Sequence, residues 1–226
     1  MRASLLIPAA GGGTRFGGQV PKQLLTLAGE TILMRSVQAF AGLVDECVIA
    51  TSAALVATVE GLVARSRPAM PVRVIIGGGE RRDSVHAALL ASDPASAVVL
   101  VHDAVRPLVP RAAIVACLAA LADHAGAVVA VPCAHTVKRA RAGDLVDATV
   151  PRDGLWLAQT PQGLRRDLAV AAFARAAAEG WTVSDDVQVL ERAGHEVALV
   201  RGDACNLKIT TPDDLLLAEA ILAGRR

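Results

Sequence analysis

The chain has 226 residues, of which 53% are hydrophobic, 20% charged and 2% aromatic, and its formal net charge is +1. This composition excludes a disordered chain and provides enough apolar material for one large domain, which we expect over residues 1–226. A nearly balanced charge and few aromatic residues argue against a nucleic-acid partner. The uncharged apolar runs are shorter than the roughly 20 residues of a membrane-spanning helix, and the N-terminus lacks a signal-peptide pattern. We therefore expect a cytoplasmic protein with no membrane partner.

Short apolar runs alternate with longer segments rich in alanine and leucine. The runs are typical of strands covered on both faces, namely Ser4 to Pro8, Glu46 to Thr51, Arg73 to Ile76, Ala97 to Val101, Ala127 to Val131 and Glu196 to Val200. The predicted helices are Thr31 to Phe40, Ala54 to Arg65, Asp83 to Ala91, Arg111 to His124, Leu168 to Glu179, Asp185 to Ala193 and Pro212 to Leu222. The alternation predicts an α/β fold with a single doubly wound, mostly parallel sheet.

The segment from Cys133 to Leu155 interrupts this alternation. It has β-forming residues on either side of the polar turn Ala142-Gly143-Asp144, so it predicts an inserted β-hairpin arm at about 133–155. Two strands alone are marginally stable in water, and we expect the arm to pack on another surface. Two interpretations of this segment are open: a solvent-exposed loop, or an arm that serves dimerisation or covers a substrate.

The cysteines and lysines are few and widely spaced. Four cysteines without a C-x-x-C pair or nearby histidines predict reduced, buried structural thiols, at Cys47, Cys117, Cys133 and Cys205. Of the 23 basic residues only Lys22, Lys138 and Lys208 are lysine. Arginine and lysine are not equivalent where a compact charge is needed, so each lysine is a candidate for a specific role.

A glycine-rich loop follows the first predicted strand. Its sequence from Pro8 to Gln23 fits neither the Walker A pattern nor the dinucleotide fingerprint, because the required Lys-Ser/Thr and the third glycine are missing. Glycine lets backbone N–H groups approach an anion closely. With Arg15 inside the loop and Lys22 after it, this segment predicts a polyphosphate site, whereas the alternative is a flexible turn.

A carboxylate follows the fourth predicted strand, in the segment Val101 to Pro107. Ligands gather at the carboxyl edge of an open α/β sheet, so Asp103 is a candidate to hold a divalent metal on phosphates. The alternative is a local cap with a salt bridge to Arg106. We expect His102 to orient its neighbours or to be structural.

A second glycine-rich segment, Gly77 to Val85, follows the third predicted strand and opens a helix. Its N–H groups and the Ser84 hydroxyl suit the base or ribose of a nucleotide. A glycine turn capped by Asp83 or Ser84 is the alternative.

Four sequence elements together resemble one known family. The loop Ala9 to Arg15 with Pro21-Lys22-Gln23 is similar to that of sugar-phosphate nucleotidyltransferases. With it stand the segments VHDAVRP from Val101, LWLAQTPQ from Leu155 and NLKIT from Asn206. In this order the chain resembles the 2-C-methyl-D-erythritol 4-phosphate cytidylyltransferases of non-mevalonate isoprenoid biosynthesis.

The resemblance implies a Rossmann-like nucleotidyltransferase fold, a homodimer formed through the arm, and Mg²⁺-dependent reaction of CTP with 2-C-methyl-D-erythritol 4-phosphate. It implies that Arg15 and Lys22 stabilise charge at the α-phosphorus, and that Arg152 and Lys208 position the phosphate of the acceptor. The implied CTP site comprises Ala9, Ala10, Gly11, Gly12, Gly13, Gly78, Ser84, Asp103 and Ala104, with Asp103 at the metal. The implied acceptor pocket is completed by Arg106, Thr136, Thr160 and Ser184.

The physical chemistry of this reaction needs no catalytic base. A phosphate monoester has its second pKa near 6, so the nucleophile is already largely dianionic at neutral pH, and catalysis reduces to positioning and charge neutralisation. The sequence departs from the family pattern at Gly79, where some members have aspartate, and at Ser184, where threonine is common. Two alternatives remain open: a cytidylyltransferase for another polyol phosphate such as ribitol 5-phosphate, and a nucleotide-binding module without turnover.

Overall fold

The computed structural model describes residues 1–11 and 20–225. The strands found there are β1 (Ala3–Pro8), β2 (Thr26–Leu27), β3 (Glu30–Thr31), β4 (Glu46–Thr51), β5 (Val72–Ile76), β6 (Val98–Val101), β7 (Gly126–Pro132), β8 (Val137–Arg141), β9 (Leu145–Val150), β10 (Trp156–Arg165) and β11 (Val197–Arg201). The α-helices are α1 (Ile32–Gln38), α2 (Val56–Ser66), α3 (Arg81–Ala91), α4 (Arg111–Ala120), α5 (Arg166–Ala178), α6 (Gln188–Arg192) and α7 (Pro212–Gly224). No helix in this part of the chain is long and apolar enough to cross a membrane.

Within the described residues, seven strands form the main sheet in the order β11-β7-β10-β6-β1-β4-β5. Strand β1 is parallel to both β4 and β6, β5 is parallel to β4, and β11 is parallel to β7. Strand β10 is the exception, because it lies antiparallel to β6 and β7. The predicted α/β class with a mostly parallel sheet is confirmed.

Burial on both faces explains why the central parallel strands are largely continuous apolar runs. In β1, Leu5 and Ile7 pack into one hydrophobic cluster and Leu6 packs into the other, on the opposite face. A smaller third cluster joins Val105 and Ile209 to Ala218 of α7. It fixes the segments after β6 and β11 to the same helix, and those segments carry Asp103 and Lys208.

Helix α7 begins where its sequence predicts. The Thr211 hydroxyl accepts a hydrogen bond from the backbone N–H of Asp214, whose carboxylate accepts one from the N–H of Thr211. Pro212 occupies the first turn, where its missing N–H costs nothing.

Two predictions about helix ends are corrected by the structure. The predicted helix from Arg111 to His124 ends at Ala120, with turns beyond it. The predicted helix from Asp185 begins three residues later, at Gln188. There the Asp185 carboxylate accepts a hydrogen bond from the N–H of Gln188, so Asp185 stabilises the turn that leads into the helix instead of lying inside the helix.

Strand β10 is missing from the prediction, and so is the small pair β2 and β3. Strand β10 has the polar sequence WLAQTPQGLR with a proline inside it, which argues against a central strand. The register with β7 shifts between Ala158 and Gln162, which accommodates Pro161. The buried amides of Gln159 and Gln162 are hydrogen-bonded, so burying them is tolerated.

The predicted arm exists as a separate two-stranded sheet of β8 and β9. Its turn uses positive φ at Gly143 and Asp144. Most side chains of the two strands are exposed, including the apolar Leu145 and Val146.

All four cysteines are unpaired, as predicted. The prediction of burial holds for Cys47 and Cys117 but is wrong for Cys133 and Cys205, which are half-buried. Both half-buried thiols lie in connecting segments, near the arm and after β11, where less of the core covers them.

Candidate active site

A cleft of about 740 Å³, open to solvent, lies at the carboxyl edge of the sheet. Its walls come from the segments that follow β1, β5 and β6, together with the segments around Lys22 and Lys208. The lining residues are Pro8, Ala9, Ala10, Gly11, Lys22, Gln23, Gly78, Gly79, Glu80, Arg81, Ser84, Asp103, Ala104, Val105 and Lys208. The motifs separated along the sequence therefore meet where an α/β sheet binds its ligands.

Gln23 fixes the start of the glycine-rich loop. Its buried side-chain amide donates to the carbonyl oxygen of Ala9 at 2.9 Å and to that of Gly11 at 3.3 Å. Because Lys22 is the preceding residue and lines the cleft, the same contact sets where this cation lies. The predicted residues Gly12, Gly13 and Arg15 lie outside the described residues.

The segment after β5 is tightly folded around its glycines. A Cβ atom on Gly78 would lie 2.3 Å from the Cβ of Asp83, which no real contact allows. The Ser84 hydroxyl lies 3.1 Å from the carbonyl oxygen of Glu80 and 3.4 Å from that of Gly78. Gly79 differs, because a Cβ there would meet nothing within 4 Å. Gly78, Gly79 and the first turn of α3 line the cleft, so the backbone of this tight turn borders it.

Three cations converge on the carboxylate of Asp103, which is 6% exposed. Arg81 Nη2 lies 2.9 Å from Oδ1, while Lys208 Nζ and Arg106 Nε lie 3.0 and 3.2 Å from Oδ2. Burial alone would raise the pKa of Asp103, but the charges of Arg81, Lys208 and Arg106 outweigh it and hold the pKa well below its usual range. Asp103 is thus an ionised group that gathers cations at one end of the cleft.

Arg81 also contacts a second acid, Asp186, whose carboxylate is buried. Here burial raises the pKa of Asp186 although the Arg81 charge opposes it. The two acids shift in opposite directions because Asp103 has three cationic partners, whereas Arg81 is the cation that holds Asp186. Arg81 therefore ties the start of α3 to the loop before α6 and to Asp103.

A buried polar network holds the backbone around Asp103. His102 Nε2 lies 3.0 Å from the carbonyl oxygen of Arg106, which can only accept, so Nε2 carries the proton. Nδ1 then accepts from the Thr160 hydroxyl at 2.9 Å, and the Thr160 oxygen accepts from the N–H of Asp103 at 3.0 Å. Burial lowers the pKa of His102 to about 4, so the ring is neutral at pH 7.

The amides of β10 extend this network. Gln162 Oε1 accepts from the N–H groups of Asp186 and Val187 at 2.8 and 3.0 Å. Asn206 Nδ2 donates to Gln159 Oε1 and to the carbonyl oxygen of Thr160, at 3.1 and 2.9 Å. Strand β10 therefore positions the loops that carry Asp186 and Lys208, which explains why a polar sequence occupies the middle of the sheet.

The donor set at Asp103 fits a divalent ion that arrives with phosphate. Mg²⁺ is typically held by one or two carboxylates together with substrate phosphates and water. Asp103 provides one ionised carboxylate at the cleft, and the described part of the chain holds no group of three or more His, Cys, Asp or Glu side chains suited to a metal.

The predicted acceptor-pocket residues do not all meet at the cleft. Arg106 joins the Asp103 cluster, and the Thr160 hydroxyl is committed to His102 and Asp103. Ser184 is exposed in the loop before α6, bonded to the Gln188 side chain. Thr136 and Arg152 are exposed at the base of the arm, and neither residue lines the cleft. The Arg152 guanidinium donates to the carbonyl oxygen of Ala134.

Three contributors were not predicted from the sequence. Gln23 lies in the Pro21-Lys22-Gln23 segment, and its position next to Lys22 was the signal available in the sequence. The structure adds that its amide is buried and hydrogen-bonded to Ala9. Arg81 and Asp186 contact each other across 105 positions, and no spacing along the chain indicates such a pair.

Comparisons with known proteins agree with this geometry. The sequence pattern of the family described as 2-C-methyl-D-erythritol 4-phosphate cytidylyltransferase matches residues 3–224. The chain is 47% identical to the protein of that name from Deinococcus radiodurans, over 97% of this chain and 89% of the relative. The corresponding protein from Symbiobacterium thermophilum is 45% identical, over 97% of this chain and 92% of the relative. The crystal structure of the Thermus thermophilus protein matches with a TM-score of 0.82 and 35% identity, covering 99% of this chain and all of that one (100%).

The family match identifies the chain as a nucleotidyltransferase, and the glycine-walled, cation-rich cleft at the carboxyl edge of the sheet agrees with that class. Such an enzyme moves a nucleotidyl group between phosphate oxygens. Within that class the chain belongs to the 2-C-methyl-D-erythritol 4-phosphate cytidylyltransferase family, which acts in isoprenoid biosynthesis.

Proposed function

We propose that this protein forms 4-diphosphocytidyl-2-C-methyl-D-erythritol and pyrophosphate from CTP and 2-C-methyl-D-erythritol 4-phosphate. An oxygen of the acceptor phosphate attacks the α-phosphorus of CTP, and the bond between the α-phosphorus and the bridging oxygen breaks. The observation that carries the proposal is the convergence of Lys22, Lys208 and the Asp103 cluster on one cleft. Family membership supplies the identity of the two substrates.

The described lining residues carry out this step by positioning and charge neutralisation. They include no histidine or cysteine, and the Ser84 hydroxyl lies against backbone carbonyl oxygens, so the described lining offers no activated nucleophile. Lys22 and Arg15 stabilise the charge that develops at the α-phosphorus, and the N–H groups of the two glycine-rich segments bind the nucleotide. The acceptor phosphate needs no base, because it is already ionised at neutral pH.

The proposed cofactor is Mg²⁺ or another divalent cation, which neutralises phosphate charge when bound. Asp103 is the residue that would hold it, in company with phosphate oxygens. Lys208 shares the same carboxylate oxygen with Arg106, and its side chain is 42% exposed. When an acceptor phosphate enters, Lys208 can turn to it while Arg81 and Arg106 keep Asp103 in place.

We also propose a cytoplasmic, single-domain protein that forms a homodimer through the arm. Support for the dimer comes from the exposed Leu145 and Val146 on a hairpin too small to be stable by itself. Thr136 and Arg152 at the base of the arm would then complete the acceptor site of the partner subunit, since they do not line the cleft of their own chain. We also assign Ser184 and Thr160 to the acceptor pocket, where the Thr160 hydroxyl would act through its hydrogen bonds to His102 and Asp103.

A nucleotide-by-acceptor matrix of pyrophosphate release with Mg²⁺ tests the function. CTP, UTP, ATP and GTP are each combined with 2-C-methyl-D-erythritol 4-phosphate or ribitol 5-phosphate. We expect release with CTP and the methylerythritol phosphate. Faster release with ribitol 5-phosphate would identify a different polyol phosphate as substrate, and CTP binding without release would identify a nucleotide-binding module.

Mixing two inactive variants tests the shared site. Arg152→Ala keeps an intact cleft and Lys22→Ala keeps an intact arm, so mixed dimers contain one complete site. Random mixing after dissociation should restore about a quarter of the wild-type activity. No recovery, in a mixture that light scattering shows to be dimeric, would place Arg152 in the site of its own chain.

A further inference from the structure

We infer that His102 is a positioning residue for the transfer reaction, holding Asp103 through Thr160 and Arg106 through its backbone carbonyl. This inference rests on the proposed function. His102 does not line the cleft and its side chain is fully buried, so it does not touch a substrate. It acts on the segment that carries two of the charged side chains of the site.

The ring of His102 connects two ends of one short loop. Nε2 donates to the carbonyl oxygen of Arg106 at 3.0 Å, which closes the segment from 102 to 106. On the other side, Nδ1 accepts from the Thr160 hydroxyl, leaving that oxygen to accept the N–H of Asp103. Each ring nitrogen therefore has a different partner, and each partner leads to a different charged residue.

The position of the ring is itself fixed. Phe40 packs edge-on against it with 4.8 Å between ring centroids, and the backbone N–H of His102 donates to the carbonyl oxygen of Leu6 at 2.9 Å. The neighbouring loop backbone is held by Ser36, whose hydroxyl donates to the carbonyl oxygen of Ala104 at 3.0 Å. With the ring held by packing, its two hydrogen bonds place the loop rather than following it.

The two limbs of the network serve different sides of the reaction. Asp103 lines the nucleotide cleft, so the Thr160 limb affects CTP and catalysis. The Arg106 carbonyl limb fixes the backbone from which the Arg106 guanidinium reaches Asp103 and the carbonyl oxygen of Asn206. Since Arg106 belongs to the proposed acceptor pocket, this limb affects binding of the acceptor phosphate.

Two substitutions separate the limbs. In His102→Asn the amide oxygen takes the place of Nδ1 but nothing reaches Arg106, whereas in His102→Gln the amide nitrogen takes the place of Nε2 and the acceptor for Thr160 is lost. We expect His102→Asn to raise the KM for the acceptor by roughly tenfold with a smaller change for CTP. We expect His102→Gln to lower kcat by roughly tenfold or more with a smaller change in the acceptor KM.

Amide hydrogen exchange gives a readout that needs no substrate. The N–H of Asp103 should exchange at least about tenfold faster in His102→Gln than in wild type, and at a nearly wild-type rate in His102→Asn. His86→Gln is the matched control. His86 lies on α3, stacks on Phe173 of α5 with 5.8 Å between the ring centroids, and does not line the cleft. It should change neither the exchange at Asp103 nor either KM.

The two failures are distinguishable. A wild-type protein that releases no pyrophosphate would refute the proposed function, while the exchange rates would still decide on His102. The role of His102 is overturned if both substitutions change the same kinetic constants in the same ratio, or if Asp103 exchanges at the wild-type rate in His102→Gln. Loss of fold in one variant leaves the other to decide, because each has its own expected result.

Discussion

We expect Arg81→Ala to destabilise the protein, because the substitution leaves the buried carboxylate of Asp186 without its cationic partner. The guanidinium is the cation that holds the Asp186 carboxylate, whose side chain is 3% exposed. Without it that carboxylate remains buried as an uncompensated charge, and removing one partner of a buried pair typically costs about 3–5 kcal/mol. Arg81 is itself 37% exposed at its side chain, so we expect the lower end, about 3 kcal/mol. In a chain of this length that corresponds to a fall in Tm of about 6–12 °C.

A double-mutant cycle measures the coupling directly. Asp186→Asn alone should cost about 1 kcal/mol, because Arg81 keeps its contact with Asp103. In the Arg81→Ala background the same change removes the buried charge and should recover about 2 kcal/mol. Urea unfolding at pH 7 gives the four free energies of unfolding. Additive costs would refute the conclusion that Arg81 compensates Asp186.

The pH dependence provides a second measure of the same pair. Burial already raises the pKa of Asp186, and loss of Arg81 must raise it further. An acid with a raised pKa in the folded state binds more protons when folded, so its penalty is relieved as pH falls through that pKa. The difference in unfolding free energy between wild type and Arg81→Ala should therefore shrink as the pH is lowered from 7. A constant difference would mean that Asp186 is not the group responsible.

Three further predictions address the remaining groups. Burial lowers the pKa of His102 to about 4, so the folded protein binds this proton less readily than the unfolded chain. Wild type should therefore lose about 3 kcal/mol of unfolding free energy as the pH falls from about 6.5 to 4 in metal-free buffer. Urea unfolding of His102→Phe should lack this loss. Gly78→Ala places a Cβ 2.3 Å from that of Asp83 and should lower the free energy of unfolding by about 1–3 kcal/mol, whereas Gly79→Ala, with open space, should cost less than about 1 kcal/mol. Steady-state pyrophosphate release should show Lys22→Ala losing about 10²–10³ in kcat and Lys208→Ala mainly raising the KM for the acceptor phosphate, with Arg111→Ala on the surface of α4 as the unaffected control.

A strand of this fold can be predicted from the sequence when its buried side chains are apolar, and not when they are polar and hydrogen-bonded. Strands β1, β4 and β6 are apolar on both faces, so a continuous run such as Val98–Val101 identifies them. The middle of strand β10, residues 159–164, is equally buried but satisfies its polar groups through Gln159 and Gln162, whose partners lie in distant loops. Hydrophobic pattern cannot indicate a strand whose burial depends on tertiary hydrogen bonds.

The same distinction applies to the site. Asp103 was predicted because a carboxylate at the carboxyl edge of the sheet can hold a metal on phosphates, whereas Lys208 was predicted through the family resemblance. The structure brings Lys208 Nζ to 3.0 Å from Asp103 Oδ2. Arg81 lies in the Gly77 to Val85 segment, where the glycines and Ser84 predict a nucleotide-binding role and nothing indicates a role for the arginine. Its contact with Asp186 depends on how α3 and the loop before α6 pack, which neither segment encodes alone.

Asp103 and Asp186 show how one guanidinium can serve two acids differently. Asp103 holds Lys208 as an ionised carboxylate, and three cations favour that charged state. Asp186 has no proposed contact with a substrate, and its charge holds Nη1 of Arg81 while Asp103 holds Nη2. If Asp186 were absent, Arg81 would be freer to leave Asp103 for an incoming phosphate. In the reaction proposed above, the buried acid thereby retains Arg81 on Asp103, so that Lys208, the more exposed cation, is the one available to contact the acceptor phosphate.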